Sequence, residues 1–318
     1  MRREAAALLF LLSLAAGPAL ADYPERPIRF LVGVVPGGAT DILARMFAPK
    51  LSERLGQQVV VDNRPGANQT ISVEMVARAA PDGHTIIIVP SGYAINPSIY
   101  RLRFDPMKDI LAIGLVAMVP NVLVVHPSVP ARSVKDFIAL ARTRPAEFNF
   151  GSSGVGSPSH LAGELFQMHT QVKLTHVPYK GQGQAMIDLL GGHLKLAFPS
   201  IPASIQHIKT GRMIALGVTP KQRSSALPDV PTLDQAGVRG FEVSGWYGVL
   251  GPARMPKPIV TRLNSEFRKL LQDPVMREQL SREGADPLAS SPEEFTAIIA
   301  TDIVKWAKVV KTVGVKIE

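Results

Sequence analysis

Short β-branched runs alternate with helical stripes along most of the chain. Ile28–Val35 reads as a strand stopped by Pro36-Gly37-Gly38, and Thr40–Leu55 then carries Ile42, Leu43, Met46, Phe47, Leu51 and Leu55 at helical spacing. Pro49 interrupts that stripe and cannot donate to the carbonyl four residues back, so a kink is expected there. Val59–Asp62 and Thr85–Val89 are predicted strands, with a helix over Asn68–Ala79 between them. The middle of the chain repeats the alternation. Strands are expected at Val122–Val125, Leu174–Val177, Leu194–Phe198 and Ile214–Val218, and helices at Ser133–Arg142, Gln182–Leu190 and Ala203–Thr210. Phe148–Phe150 leads into the loop Gly151–Gly156, after which Ser157 is a good N-cap with Pro158 in the first helical position. Repeated strand–helix units predict an α/β fold with parallel sheets covered by helices on both faces.

The end of the chain differs. A strand at Ser244–Leu250 is followed by three helical stretches, the last opened by Ser291-Pro292-Glu293-Glu294, at once a capping box and a proline start. Its stripe of Phe295, Ile298, Ile299, Ile303, Trp306 and Val310 needs a surface to cover. The 318 residues are enough for two lobes, although periodicity does not locate the boundary. At the other end, Arg2-Arg3, the apolar run Ala5–Leu14 and the small-x-small site Ala19-Leu20-Ala21 have the pattern of a secretory signal peptide over residues 1–21. Cleavage after Ala21 would start the mature chain at Asp22 in the periplasm. The apolar run is too short for a membrane span, which needs roughly 20 residues.

Composition narrows the chemistry. With no cysteine, disulfide scaffolds, thiol nucleophiles and cysteine-ligated metals are excluded. The formal net charge is +9, or 33 − 25 = +8 once Arg2, Arg3 and Glu4 are removed with the leader. Lysines and arginines are dispersed without interleaved aromatics, so the charge suits small anions better than nucleic acid. His160 and Glu164 share a helical face but His169 is rotated off it, so no metal site is expected. No dinucleotide fingerprint, P-loop or Gly-x-Ser-x-Gly elbow occurs, and no cofactor is expected. A scattered triad using His160 or a serine such as Ser153 stays open as an enzyme reading.

Two segments carry the geometry of an anion site. Val35-Pro36-Gly37-Gly38-Ala39-Thr40-Asp41 and Phe150-Gly151-Ser152-Ser153-Gly154-Val155-Gly156-Ser157-Pro158 each run from a strand through glycines into a helix. Glycines let backbone approach a ligand, and the unpaired N–H groups of a helix start favour carboxylate or phosphate. Asp41 is expected to brace its helix, since its charge would repel an anion.

These stretches, with Asn63-Arg64-Pro65-Gly66-Ala67, Ala94-Ile95-Asn96-Pro97, Ser159-His160-Leu161-Ala162-Gly163-Glu164, His176-Val177-Pro178-Tyr179-Lys180-Gly181 and Leu227-Pro228-Asp229-Val230-Pro231-Thr232, span almost the whole mature region. In that order they resemble the substrate-binding proteins of tripartite tricarboxylate transporters, the Bug family of periplasmic receptors. The resemblance implies a two-lobe periplasmic-binding-protein fold, type II-like, with residues 22–122 and 243–318 in lobe 1 and residues 123–242 in lobe 2. Two crossing strands near Pro120–Val125 and Glu242–Tyr247 would act as the hinge.

The resemblance also implies a ligand carboxylate held between the two helix starts. Gly37, Gly38, Ala39 and Thr40 would serve one side, Ser152, Ser153, Gly154 and Ser157 the other, and Ser91 and Gly92 would line the cleft. Selectivity would come from the far end, around Tyr93, Pro199 and Ser200; Tyr93 is either an apolar wall or a packed loop aromatic. Many relatives have aspartate where this chain has Pro199, which argues against amino-acid ligands. The implied function is capture of a small organic carboxylate, a dicarboxylate or aromatic acid without an amino group, by a monomer that delivers it to membrane transporter subunits. Presentation of the closed form to a sensor kinase is the alternative. Neither involves catalysis.

Overall fold

The computed structural model describes residues 23–314, Ala146 and Ser244 excepted, so the expected leader lies outside the described residues. In chain order the strands are β1 (Ile28–Val32), β2 (Val59–Asn63), β3 (Thr85–Pro90), β4 (Ile110–Met118), β5 (Val122–Val125) and β6 (Asn149–Ser152). They continue with β7 (Thr175–Pro178), β8 (Leu196–Ala197), β9 (Ile214–Val218), β10 (Trp246–Pro252) and β11 (Asp286–Pro287). The helices are α1 (Ala39–Leu55), α2 (Thr70–Ala77), α3 (Asn96–Ile99), α4 (Val134–Thr143) and α5 (Pro158–Thr170). After them come α6 (Gln182–Leu190), α7 (Ile201–Lys209), α8 (Lys257–Gln272), α9 (Pro274–Arg282) and α10 (Pro292–Val313).

The strands form two sheets, one ordered β11-β4-β10-β3-β1-β2 and the other β7-β6-β8-β5-β9. Each is the centre of one lobe of a two-lobe α/β fold. In β1, Ile28, Phe30, Leu31 and Val32 are all fully buried, which requires cover on both faces. Phe30 meets Phe267 of α8 edge-on at 6.2 Å, and Phe47 of α1 meets the same ring at 5.6 Å. Leu31 belongs to the opposite face, in the core that also holds Val73 of α2 and Phe295 of α10.

The expectation of parallel sheets holds only in part. β1 pairs in parallel with β2 and β3, and β6 with β7 and β8. However, β10 runs antiparallel between β3 and β4, and β5 runs antiparallel to β8 and β9. The strand next to each crossing enters its sheet from the other lobe and therefore runs against its neighbours. Sequence periodicity carries no record of that direction.

The chain passes between the sheets twice, from Met118 to Val122 and again before Trp246. The two passages are tied together: Val119 N–H donates to the Gly245 carbonyl at 2.7 Å, and Thr219, just after β9, links Val243 N–H (3.0 Å to its carbonyl) to the Asn121 carbonyl (2.9 Å from its N–H). A Cβ on Gly245 would sit 2.7 Å from the Val119 oxygen, so a side chain there would push the passages apart.

The terminal helix follows its sequence signals. Ser291 Oγ accepts from Glu294 N–H at 3.1 Å and Glu294 Oε2 from Ser291 N–H at 2.8 Å, closing the capping box. Phe295, Ile299, Trp306 and Val310 are buried, with Phe295 edge-on to Trp246 at 5.1 Å, so α10 covers the six-stranded sheet. Helix α1 continues past Pro49 to Leu55. Two local expectations change. β1 ends at Val32 instead of Val35, because Gly33 and the residues after it leave the sheet. The helix expected from Asn68 begins at Thr70, because Ala67, Asn68 and Gln69 form a left-handed turn with φ of 43°, 47° and 71°.

Candidate functional site

A cavity of about 590 Å³ lies between the lobes, within the range of small-molecule sites. Its walls are largely apolar, with Val34, Val35, Pro65, Pro90, Tyr100 and Tyr247 among them. No aspartate or glutamate lines it, and Lys180 is its one charged lining residue among the described residues.

One wall is the start of α1. Its N-cap, Gly38, makes no side-chain cap, and the first turn bond runs from Ile42 N–H to the Gly38 carbonyl. The N–H groups of Ala39 and Thr40 therefore have no helical acceptor, and Gly38, Ala39 and Thr40 all line the cavity. Gly37 does not: its N–H is donated to Asp41 Oδ2 at 3.0 Å. Asp41 is buried and also accepts from Arg45 Nε at 3.0 Å and Asn63 Nδ2 at 2.9 Å. Burial pushes its carboxyl pKa up, but the hydrogen bonds from Arg45, Asn63 and Gly37 outweigh that and hold it below the ordinary value. Asp41 braces the helix, as expected.

The opposite wall, at the start of α5, differs from the expectation in kind. Most of its amides are already used inside the loop. Ser153 N–H goes to Ser159 Oγ at 3.0 Å, Gly154 N–H to Ser152 Oγ at 3.2 Å, Gly156 N–H to His160 Nδ1 at 3.0 Å, and His160 N–H to Ser157 Oγ at 3.3 Å. What faces the cavity is Ser153, Gly154, Val155, Pro158 and Ser159, with the Ser153 and Ser159 hydroxyls 3.2 Å apart. Ser152 and Ser157 are buried behind that surface and hold the loop in shape.

Two further helix starts reach the cavity. Gln182 and Gln184 bring in α6, whose N-cap Gly181 makes no side-chain cap, and Ser200, the N-cap of α7, brings in that helix. The far-end expectations divide. Ser200 and Ser91 line the cavity. Pro199 does not; it is buried, and its carbonyl accepts from Val122 N–H at 2.9 Å. Gly92 faces Pro158 across the lobe contact instead. Tyr93 is a packed loop aromatic: it is buried in the core and its hydroxyl donates to the Pro106 carbonyl, so it forms no wall of the cleft.

Sequence reasoning missed the Gly66–Gln69 turn, Asn121, Lys180, Gln182 and Tyr247, which all line the cavity. The glycine before Gln182 repeats the strand–glycine–helix pattern of the first two segments and was the one signal that pointed to α6.

Beneath the α5 loop, His176 Nε2 lies 2.7 Å from Ser152 Oγ, and the His160 and His176 rings stack with centroids 3.9 Å apart. A serine beside a histidine invites a catalytic reading, but Ser152 is fully buried and does not line the cavity. Burial, then the neighbouring His160, pushes the His176 pKa down to about 3. Imidazole in the unfolded chain titrates near 6.5, so the unfolded state takes up the proton first and stability falls as pH falls between these values. Chemical denaturation at about pH 6 and about pH 5 is expected to show the wild type losing about 1 kcal/mol more than His176→Gln. Equal losses would mean that the histidine is not held neutral by the fold.

The chain matches the tripartite tricarboxylate transporter family receptor profile over residues 43–315. It is 36% identical over 310 residues to Protein BugT of Bordetella pertussis, covering 95% of this chain and 94% of that one. Among solved structures, R. palustris Rpa4515 with adipate superposes with a TM-score of 0.90 at 38% identity, covering 92% of this chain and 99% of that one. MatC of Rhodopseudomonas palustris with bound malate has a TM-score of 0.85 at 29% identity, covering 91% and 100%. The chain belongs to the tripartite tricarboxylate transporter receptor family, the Bug family of periplasmic binding proteins, and is a solute-binding receptor, not an enzyme.

Proposed function

From that membership we propose that this receptor captures a small organic carboxylate without an amino group and delivers it to the membrane subunits of a tripartite transporter. The observation that carries the reading is the cavity itself. Uncapped amides at the start of α1 face the Ser153 and Ser159 hydroxyls at the start of α5, with no acidic side chain between them. Carboxylate oxygens accept from such donors, and both helix dipoles favour the charge. An ammonium group would find no counter-charge. The adipate and malate bound by relatives support the class of ligand.

In this reading Gly38, Ala39 and Thr40 contribute from one lobe, Ser153, Gly154 and Ser159 from the other, and Ser91 and Ser200 line the flanks. Residues 22–122 with 243–318 form lobe 1 and residues 123–242 form lobe 2, a division supported by the sheet to which each strand belongs. Residues 1–21 are removed on export, and the mature receptor acts as a monomer in the periplasm. Ligand bridging both lobes favours the closed form, which the transporter recognises.

Calorimetry of the purified protein against mono-, di- and tricarboxylates, with aspartate and glutamate alongside, tests the proposal. Saturable binding to at least one acid and none to the amino acids is expected. Saturable binding of the amino acids alone would overturn it.

A further inference from the structure

Two buried side chains in the cavity have no partner. Gln69 and Gln182 are 6% and 8% exposed, and both line the cavity. Gln69 Oε1 and Gln182 Nε2 are enclosed without any hydrogen bond, and neither carboxamide bonds elsewhere among the described residues. Buried polar groups are nearly always paired, and one left unpaired is costly. The fold holds both firmly in place. Gln69 has φ of 71° in the left-handed turn and packs against Gly33, where a Cβ would lie 2.5 Å from its own Cβ. Gln182 opens α6 directly after Gly181, where a Cβ would come within 2.8 Å of Val35. Gly33 and Val35, which also line the cavity, thus sit beside Gln69 and beside the residue before Gln182, so one carboxamide from each lobe reaches the same cavity.

We propose that Gln69 and Gln182 form a neutral polar subsite that selects carboxylates bearing a hydroxyl group. The inference rests on the carboxylate-receptor reading and adds the part of the ligand that the helix starts do not read. A carboxamide offers both a donor and an acceptor. A second carboxylate can only accept, so it would leave the amide oxygens unpaired. An ammonium can only donate, and the cavity has no acidic group for it. A hydroxyl does both. A ligand without it would bury two carboxamides unsatisfied, which is how sites built to bind a hydroxyl reject its deoxy analogue. A second carboxylate, where the ligand has one, is assigned to Lys180.

The test is calorimetric titration with matched pairs: malate against succinate, and 4-hydroxybenzoate against benzoate. In the wild type the hydroxylated member is expected to bind at least about tenfold more tightly in any pair that binds. Gln69→Leu and Gln182→Met should each shrink that preference at least about threefold, chiefly by strengthening the binding of the deoxy acid. Thermal melts of each variant establish that it is folded. Equal binding within every pair would overturn the subsite and leave the receptor reading intact. Parallel loss of both members in the variants would also overturn it, because that marks a structural role. Absence of binding by all four acids and by every other acid of the wider carboxylate panel would overturn both.

Discussion

Replacing Ser153 with aspartate is expected to weaken the binding of every carboxylate ligand at least about a hundredfold without lowering thermal stability. The two expectations have opposite signs, which is what makes the variant informative. Ser153 lines the cavity in the loop that leads into α5, and is held at that helix start by its N–H, bonded to Ser159 Oγ, and its hydroxyl, 3.2 Å from the same atom. A carboxylate in that position faces a helix N-terminus, an interaction worth about 0.3–1 kcal/mol in favour of the fold. The ligand carboxylate would then meet a like charge about 4 Å away. At an effective dielectric constant of about 20 the repulsion is about 4 kcal/mol, more than the ~2.7 kcal/mol of a hundredfold loss.

Ser153→Asn has nearly the same shape and no charge, so it should keep binding within about tenfold. Calorimetry gives the affinities, and differential scanning calorimetry the melting temperatures. Unchanged binding in Ser153→Asp would show that the ligand's charge does not sit between the two helix starts. A lower melting temperature would show that the serine is needed for the fold.

How far the sequence revealed this site depends on how local each signal is. The starts of α1 and α5 were legible because glycine, serine and proline act within a few residues of where they stand. Ser157, for example, accepts from His160 N–H as the N-cap pattern requires. The capping box of α10 and its buried stripe were legible for the same reason. The Ala67–Gln69 turn was not. Alanine and glutamine carry no preference for positive φ, and only the surrounding packing holds them there. Gln69, Asn121 and Tyr247 come from three distant parts of the chain and meet only through tertiary structure. Tyr93 misled for a related reason: an aromatic next to glycine looks accessible, whereas the turn directs it into the core. β4, a nine-residue strand over Ile110–Met118, was not predicted, because Ala112, Gly114 and Ala117 interrupt the β-branched run that marks the other buried strands. The division of donors, amides from α1 and hydroxyls from α5, was likewise invisible. It depends on which N–H groups the loop's own serines and histidine have already taken.

Removing the contacts that join the two lobes is expected to weaken all ligands by the same factor. Asn68 Nδ2 donates to the Gly156 carbonyl at 3.2 Å, and Tyr100 Oη to the Val155 carbonyl at 3.1 Å, both across the mouth of the cavity onto the α5 loop. Asn68 is held for this contact by Asn96, whose Oδ1 accepts from it at 2.7 Å and whose Nδ2 donates to its carbonyl at 3.0 Å. Each bond exists only while the lobes are together, so each stabilises the closed form by about 1 kcal/mol. The pair Asn68→Gly and Tyr100→Phe should therefore cost about 2 kcal/mol, or about thirtyfold in affinity. Glycine is the choice at position 68 because φ is 47° there, a conformation it adopts without strain. Stopped-flow fluorescence should place the loss in a faster dissociation rate with association nearly unchanged, because the contacts form after encounter. The same fold-loss for hydroxylated and deoxy acids separates this effect from that of Gln69 and Gln182. Unchanged affinity and rates would mean that these bonds persist in the open form, and that closure is driven by the ligand alone.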